Sequence, residues 1–329
     1  MGKTAYIGVN NVARKAKSLY IGVNGVAHKV KKAYIGDANG KARLWWSAAP
    51  GWVKSSSPLS SSAAYNAVCY GGGKFVGVSS AYGKAAYSTD GINWIGTSMP
   101  STSAWRMVCY GDGKFVSVAY NTAIGAYSTD GINWTSTTLP TSQKWTSICY
   151  GNGKFIAISY SSSVAIYSTD GINWTQTSMP NSKYWQTACY GNGKFVAMTY
   201  NNTIAAYSTD GINWTQTTMP AQAYWNSSCY GNGKFLAFSS GRKIAAYSVD
   251  GINWTQITMP GSGAWYMTFG ADKFVAVAYN HDYAAYSTDG VNWTQIAMPV
   301  SAQWQSVCYG NSKFVAVAAQ SNTVAYWEQ

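Results

Sequence analysis

The sequence predicts an all-β protein: a seven-bladed β-propeller closed by an N-terminal strand and preceded by an arm of β-hairpin repeats. Two internal repeats predict this fold. The string Ser-x-Asp-Gly-x-Asn-Trp recurs six times at spacings of 39 or 40 residues, and Gly-x-x-Lys-Phe recurs seven times. Repeats of about 40 residues that hold four short strands are typical of propeller blades. We expect the arm to span residues 1–48 and the propeller residues 49–329.

The arm is the first predicted element. It holds three 14-residue repeats, each with a Tyr-Ile-Gly string, and we expect chain reversals near residues 10–11, 24–25 and 39–40. The arm contains nine Lys or Arg residues and one acidic residue, Asp37, which gives a net charge of +8. So few strands cannot bury an adequate core. We therefore expect the arm to form a homo-oligomer, for example a trimer, or to dock on another protein rather than on nucleic acid.

The propeller repeats follow the arm. In each repeat, four short strands are predicted between Gly-, Asn- and Asp-containing turns. The last repeat ends at Val324–Trp327 after only three strands. Residues 51–58 resemble the missing fourth strand in composition and spacing. We expect them to complete the last blade and to close the ring, because closure protects sheet edges that would otherwise be unpaired.

The Ser-x-Asp-Gly-x-Asn-Trp string resembles the Asp-box, or bacterial neuraminidase repeat, of sialidases and of many non-enzymatic propellers. The resemblance implies a turn between the third and fourth strands of a blade. The carboxylate can accept the backbone N–H groups of that turn, and the glycine permits a positive φ. One carboxylate per turn is too few for calcium, so we expect structural roles and no metal. The six structural aspartates are Asp90, Asp130, Asp170, Asp210, Asp250 and Asp289.

The residues that catalysis would need are scarce. The resemblance implies that a sialidase holds its substrate with three arginines, but residues 49–329 contain only Arg106 and Arg242. The only histidine there is His281, and the only glutamate is Glu328. Six cysteines share one register of the repeats, which favours packing over disulfides or a soft-metal ring. We therefore expect no catalytic residue, no cofactor and a protein that is not an enzyme.

One end of the predicted propeller varies between repeats, whereas the other end is nearly uniform. The turns between second and third strands and the links between repeats are rich in Tyr, Ser, Asn and Gln. Such side chains are typical of adaptable recognition surfaces, and the alternative is drift in exposed loops. The ligand-binding residues predicted at this variable end are Tyr82, Arg106, Asn121, Tyr184, Gln186, Asn202, Arg242, Tyr266 and His281.

These features predict a non-enzymatic protein that binds a bacterial surface glycan or receptor. The arm repeat resembles the Tyr-x-Gly-x-x-Gly-x-Ala segments of prophage tail and baseplate proteins from Gram-positive bacteria. That resemblance implies attachment to other tail proteins through residues 1–48, and a place in the virion after assembly in the bacterial cytoplasm. We expect no export signal and no membrane span. The alternatives are a sialidase-like glycan-processing enzyme and a purely structural virion component.

Overall fold

The computed structural model describes residues 6–9, 12–15, 19–23, 26–30, 32–36, 42–47, 51–56, 59 and 64–329. The chain divides into two compact units, Met1–Pro50 and Gly51–Gln329. Every regular element within the described ranges is a β-strand. None of those ranges contains a helix long and apolar enough to cross a membrane.

The first unit contains three antiparallel strand pairs, β1–β2, β3–β4 and β5–β6. Its strands are β1 (Tyr6–Val9), β2 (Val12–Lys15), β3 (Leu19–Val23), β4 (Val26–Val30), β5 (Lys32–Gly36) and β6 (Ala42–Ser47). Each pair corresponds to one of the 14-residue sequence repeats. The reversals expected at residues 10–11, 24–25 and 39–40 lie outside the described residues.

The second unit is the propeller. Its first strands are β7 (Val53–Lys54), β8 (Tyr65–Gly71), β9 (Lys74–Ser79), β10 (Lys84–Ser88), β11 (Ile95–Ser98), β12 (Trp105–Gly111), β13 (Lys114–Ala119), β14 (Thr122–Ser128), β15 (Thr135–Gln143), β16 (Trp145–Gly151), β17 (Lys154–Ser159), β18 (Ser162–Ser168) and β19 (Thr175–Lys183). The remaining strands are β20 (Trp185–Gly191), β21 (Lys194–Ser208), β22 (Thr215–Gly231), β23 (Lys234–Ser240), β24 (Ile244–Ser248), β25 (Thr255–Thr258), β26 (Trp265–Gly270), β27 (Lys273–Ser287), β28 (Thr294–Gly310), β29 (Lys313–Ala319) and β30 (Val324–Glu328).

The expected number of blades is wrong. The sequence repeats predict seven separate four-stranded sheets, but the described residues of the propeller form five sheets. Three sheets have four strands each: β8–β11, β12–β15 and β16–β19. Two sheets have six strands each: β20–β25, and β26–β30 together with β7. Counted as continuous hydrogen-bonded sheets, the propeller therefore has five blades and not seven.

Each six-stranded sheet holds two sequence repeats because one long strand continues from one repeat into the next. Strand β22 pairs with β21 up to Tyr224 and with β23 from Tyr224 onward. Strand β28 changes partner in the same way at Gln303. Between β15 and β16, by contrast, Lys144 leaves the strand and the sheet ends there. The backbone pairing of a short link thus decides whether neighbouring repeats share a sheet.

The ring closes through the strand that the sequence predicts. Strand β7 pairs antiparallel with β30, with Val53 opposite Tyr326. The Ser55 N–H donates to the Val324 carbonyl at 2.9 Å. Trp52 packs against Trp327, with ring centroids 6.1 Å apart. Residues 57 and 58, the end of the predicted closing strand, lie outside the described residues.

The inner edge of the ring is built from one strand segment of each repeat, and neighbouring segments contact one another. Strand β28, which holds the last inner segment, contacts β8, which is the first. The glycine that ends each inner segment is covered by an aromatic ring of the next repeat. Tyr190 covers Gly151, and Tyr70 covers Gly310 across the closure. A Cβ at either glycine would overlap the ring carbons, so only glycine fits there.

The core repeats around the ring. A tryptophan begins six of the inner segments, Tyr65 replaces it in the first repeat, and all seven of these side chains have 0% exposure. The phenylalanine of each Gly-x-x-Lys-Phe string lies one strand further from the axis, and its side chain is at most 1% exposed. These large side chains fix the position at which each inner strand begins, and that position is next to the candidate site.

Candidate functional site

A β-bulge follows the first residue of six of the seven inner segments. In β20, for example, Trp185 lies opposite Thr199 and Thr187 lies opposite Met198, so Gln186 has no partner in the ladder. A bulge adds one residue to one strand and directs its side chain away from the regular alternation. The six residues in this position are Asn66, Arg106, Thr146, Gln186, Asn226 and Gln305.

The sixth repeat lacks the bulge, and this explains why one repeat spacing is 39 residues. In β26, Trp265 lies opposite Ala278 and Tyr266 lies opposite Val277, with continuous pairing. Tyr266 therefore occupies the register of Thr187 rather than that of Gln186. The sequence alone suggested that Tyr266 corresponds to Gln186, because each follows a repeated tryptophan. The residue that the sixth repeat lacks is the bulge residue itself.

The six bulge residues and Tyr266 line one cavity of about 520 Å³ on the axis of the ring. We call it the polar ring cavity. Its wall also includes Ser80, Tyr279 and Gln320, which lie where second strands end or turn towards third strands. The cavity therefore opens at the variable end of the propeller. Its size is within the range of about 300–1,000 Å³ that small-molecule sites usually occupy.

Hydrogen bonds hold part of this ring in place. The Asn66 amide donates to the Gln305 carbonyl oxygen at 3.0 Å, which joins the first repeat to the last. The Thr146 hydroxyl donates to the Trp185 carbonyl at 2.7 Å, and the Asn226 amide donates to the Trp265 carbonyl at 3.2 Å. The Gln186 amide, in contrast, makes no side-chain hydrogen bond within the described residues. Its donor and acceptor groups remain available to a ligand.

The cavity wall carries one charged residue and two tyrosines, Tyr266 and Tyr279. Arg106 is the only charged residue among those that line the cavity, and no Asp or Glu lines it. Burial raises the pKa of the Tyr266 hydroxyl, and the neighbouring Asn226 and Gln305 amides offset this only in part. Tyr266 therefore stays protonated at neutral pH and can donate a hydrogen bond into the cavity.

Five tyrosines lie at the variable end of the propeller, and one of them, Tyr120, contacts Arg106 of the cavity wall, although none of the five lines the cavity itself. We call Tyr120, Tyr160, Tyr184, Tyr200 and Tyr224 the tyrosine row. The rings of Tyr160 and Tyr184 are stacked with centroids 4.7 Å apart. Tyr200 lies 4.8 Å from Tyr224 and 6.5 Å from Tyr160. Because Tyr184 remains 50% exposed, the row presents aromatic surface to solvent.

The predicted ligand-binding residues do not all lie together. Arg106, Gln186 and Tyr266 line the polar ring cavity, and Tyr184 belongs to the tyrosine row. Tyr82 is 79% exposed on a turn, and His281 stacks on Tyr283 with centroids 4.5 Å apart. Asn121 and Arg242 lie between second and third strands, Asn202 lies within the continuous strand β21 opposite Ala223, and none of the three lines the cavity. The sequence shows that Asn66, Thr146, Asn226 and Gln305 share the position after a buried aromatic residue, but sequence reasoning did not predict these four as ligand-binding residues.

The opposite end of the propeller carries the six Ser-x-Asp-Gly turns. In the turn at Asp90, one carboxylate oxygen accepts the N–H groups of Ile92 and Asn93, both at 2.8 Å. The Ser88 hydroxyl donates to the same oxygen at 2.9 Å. Partial burial acts to raise the pKa of Asp90, but these hydrogen bonds outweigh it and lower the pKa to about 2. All six turns share this arrangement, which is a structural turn in which the carboxylate is fully engaged.

The cysteines lie on the inner segments between the two ends. All six are free thiols. Burial raises the pKa of each thiol, to about 12 for Cys189. Within the described ranges, no group of three or more His, Cys, Asp or Glu side chains is placed to hold a metal ion. The register that the cysteines share therefore provides neither a metal site nor a reactive thiolate at neutral pH.

Comparisons with known proteins identify the fold. No protein-family model and no curated protein matches the chain. Virginiamycin B lyase from Staphylococcus aureus is similar with a TM-score of 0.76 and 11% identity, over 84% of this chain and 99% of that one. YCF48 bound to D1 peptide has a TM-score of 0.68 and 13% identity, over 85% and 96%. The WD40 propeller of Doa1 has a TM-score of 0.66 and 14% identity, over 85% and 98%.

These comparisons correct two expectations. Membership of the Asp-box family is wrong: no family model supports it, and the similar structures include a lyase, YCF48 and WD40 propellers. The resemblance of the arm to prophage tail proteins also has no matching family model. The expectation of a non-enzyme is wrong as well, because an enzyme, virginiamycin B lyase, is among the propellers of similar fold. The missing sialidase residues therefore do not exclude catalysis.

Proposed function

We propose that this protein binds a bacterial surface glycan at the variable end of the propeller. In this proposal one sugar unit occupies the polar ring cavity, and the neighbouring units lie over the tyrosine row. The observation that carries the proposal is the set of six bulges, because they direct one polar side chain from each of six repeats into one cavity of about 520 Å³. Packing alone does not require a bulge, since β26 pairs with β27 without one.

The chemistry of the cavity suits a molecule rich in hydroxyl groups. Asn and Gln amides both donate and accept hydrogen bonds, as sugar hydroxyls do. The amides of Asn66, Gln186, Asn226 and Gln305 are distributed around the axis. Aromatic faces such as Tyr184 pack against the apolar C–H faces of sugar rings while their hydroxyls stay solvated. A purely apolar ligand would leave the Gln186 amide and the buried Asn226 side-chain oxygen without partners, and such a loss is costly.

The arm has a separate role in this proposal. Residues 1–48 attach the protein to a phage tail or a related particle, through other tail proteins or through copies of this chain. Its net charge of +8 and its three antiparallel pairs support a docking role. Several propellers on one particle would bind a surface more tightly than one propeller, because linked binding events raise the effective concentration.

A glycan array tests the proposed binding function. The full chain is applied to immobilised bacterial oligosaccharides, alongside the Gln186→Ala variant and the matched control Gln256→Ala. Gln256 is exposed on the outer strand β25 and does not line the cavity. We expect the full chain and the control to bind the same glycans, and the Gln186 variant to bind them at least threefold more weakly. An array without any bound glycan, or equal binding by both variants, would contradict the proposal.

Light scattering tests the role of the arm. We expect the full chain to form an oligomer by itself or to associate with tail proteins of its particle. A variant lacking residues 1–50 should do neither, because the arm supplies the docking surface in this proposal. A full chain that stays monomeric alone and in the presence of those proteins would contradict this part of the proposal.

A further inference from the structure

Arg106 occupies an unusual position in the polar ring cavity. It is the bulge residue of β12, and it is the only charged residue that lines the cavity. No aspartate or glutamate lines the same wall. The other polar side chains of the cavity wall are amides and hydroxyls.

The guanidinium is held in place without being neutralised. Its central carbon lies 3.7 Å from the centroid of the Tyr120 ring. Stacking on an aromatic face fixes the plane of the group but leaves the N–H donors at its edges free. Within the described residues, the ion pairs are Lys114 with Asp112 and Lys313 with Glu328, and Arg106 takes part in neither.

We infer that the glycan carries an anionic group, a carboxylate or a phosphate ester, and that Arg106 binds it at the wall of the polar ring cavity. This inference rests on the proposed function and names the substrate class of the same site. The planar guanidinium donates two parallel hydrogen bonds to the oxygens of either group. Arg106 is exposed at the cavity wall, so with a neutral glycan its guanidinium stays solvated and stacked on Tyr120, whereas an anion adds charge-assisted hydrogen bonds. Arg106 is thus the residue that selects acidic over neutral glycans.

Arg242 provides a matched control on the same end of the molecule. It is exposed in the turn between β23 and β24 and does not line the cavity. If the general positive charge of the protein attracted acidic glycans, replacing either arginine would weaken their binding alike. If the inferred site is responsible, only Arg106 should matter.

The test compares matched glycans on the full chain. An array carries neutral, carboxylate-bearing and phosphate-bearing oligosaccharides, with each carboxylate also present as its uncharged methyl ester and each phosphate monoester as its uncharged dimethyl ester. The affinities of the glycans that bind are then measured by calorimetry. We expect an acidic glycan to bind at least tenfold more tightly than its ester. This preference should fall to about onefold in the Arg106→Gln variant and persist in the Arg242→Gln variant. Comparison of the carboxylate-bearing with the phosphate-bearing glycans shows which anion the site prefers.

Four other results would overturn the inference. Equal binding of acids and esters, or an unchanged preference in Arg106→Gln, would reject the role of Arg106 while leaving glycan binding in place. Equal losses in both arginine variants would assign the preference to overall charge. The absence of any bound glycan would reject both the inference and the proposed function.

Discussion

In each of the six Ser-x-Asp-Gly turns, the aspartate carboxylate accepts hydrogen bonds from backbone N–H groups of the turn. Asp170 accepts the N–H groups of Ile172 and Asn173 at 2.8 Å, and Ser168 donates to it at 2.9 Å. The sequence predicted these contacts well, because all partners lie within five residues of one another. It indicated the residues of the cavity less completely, because the cavity joins residues from all seven repeats.

The Asp170→Ala variant should lose stability. We expect a loss of about 1–2 kcal/mol in the free energy of unfolding, which is typical when a capping side chain is removed. Chemical denaturation measures the loss, and Asp282→Ala is the control, because Asp282 is exposed and lies outside these turns. An equal change in the two variants would contradict the structural role of the turn.

Stability should also decrease in acid. The pKa of Asp90 is about 2 in the folded protein against an ordinary value of 3.8, and the pKa values of the other five turn aspartates are lowered as well. The unfolded chain therefore binds more protons than the folded one as pH falls below about 4. We expect the denaturation midpoint to be constant from pH 7 to 5 and to fall between pH 4 and 2. A constant midpoint down to pH 2 would contradict these lowered pKa values.

The pairing register of individual strands determines which side chains line the polar ring cavity. The bulges were not predicted, because a bulge depends on the register of the opposite strand, and that register is invisible in one sequence. Only the spacing of 39 residues indicated that one repeat differs, and β26 shows that the missing residue is the bulge residue. The sheets that merge through β22 and β28 were not predicted for the same reason. Their links resemble the others in sequence but keep their backbone pairing.

Deletion of Gln186 should convert a bulged strand into one like β26. We expect the variant to fold with a melting temperature within a few degrees of the original, because β26 already tolerates this pairing. Glycan binding should weaken at least threefold, since one polar group leaves the cavity. Thermal melts and array binding measure the two effects. The control is Gln186→Ala, which keeps the bulge and removes the same polar group, so its glycan binding should weaken to a similar extent. Unfolding of the deletion variant while Gln186→Ala stays folded would contradict this account of the bulge.

The glycine that ends each inner segment leaves no space for a side chain under the aromatic ring that covers it. Gly151→Ala should destabilise the protein by about 2–4 kcal/mol, because the new Cβ overlaps the ring of Tyr190. Gly153→Ala should cost only about 1 kcal/mol, because its Cβ meets no atom within 4 Å and the cost comes from its φ of 70°. Denaturation curves compare the two variants. A larger loss at Gly153 would contradict the packing account.

At the scale of the whole molecule, closure makes one ring out of the seven repeats. The sequence predicted closure because the last repeat lacks a strand that residues 51–58 resemble. It did not predict that the ring would contain five sheets, since the repeats in the sequence are almost uniform. Long-range contacts such as Trp52 with Trp327 and β8 with β28 hold the ends of the propeller together.

Two N-terminal truncations should differ sharply in melting temperature. A variant lacking residues 1–50 should keep a folded ring with nearly the same melting temperature, because those residues form a separate compact unit. A variant lacking residues 1–59 also loses β7, Trp52 and the buried Leu59. We expect its melting temperature to fall by more than about 10 °C, or the protein to be insoluble, because β30 becomes an exposed edge. Equal melting temperatures would contradict closure by β7.

The most direct measurement of the central claim is a crystal structure of the full chain with the glycan that it binds most tightly on the array. We predict a sugar ring inside the polar ring cavity, with hydrogen bonds to Gln186 and to at least two other bulge residues. We also predict that the adjoining sugar units lie over Tyr160 and Tyr184. A glycan bound at the end that carries the Ser-x-Asp-Gly turns, or on the outer strands with the cavity left unoccupied, would contradict the account.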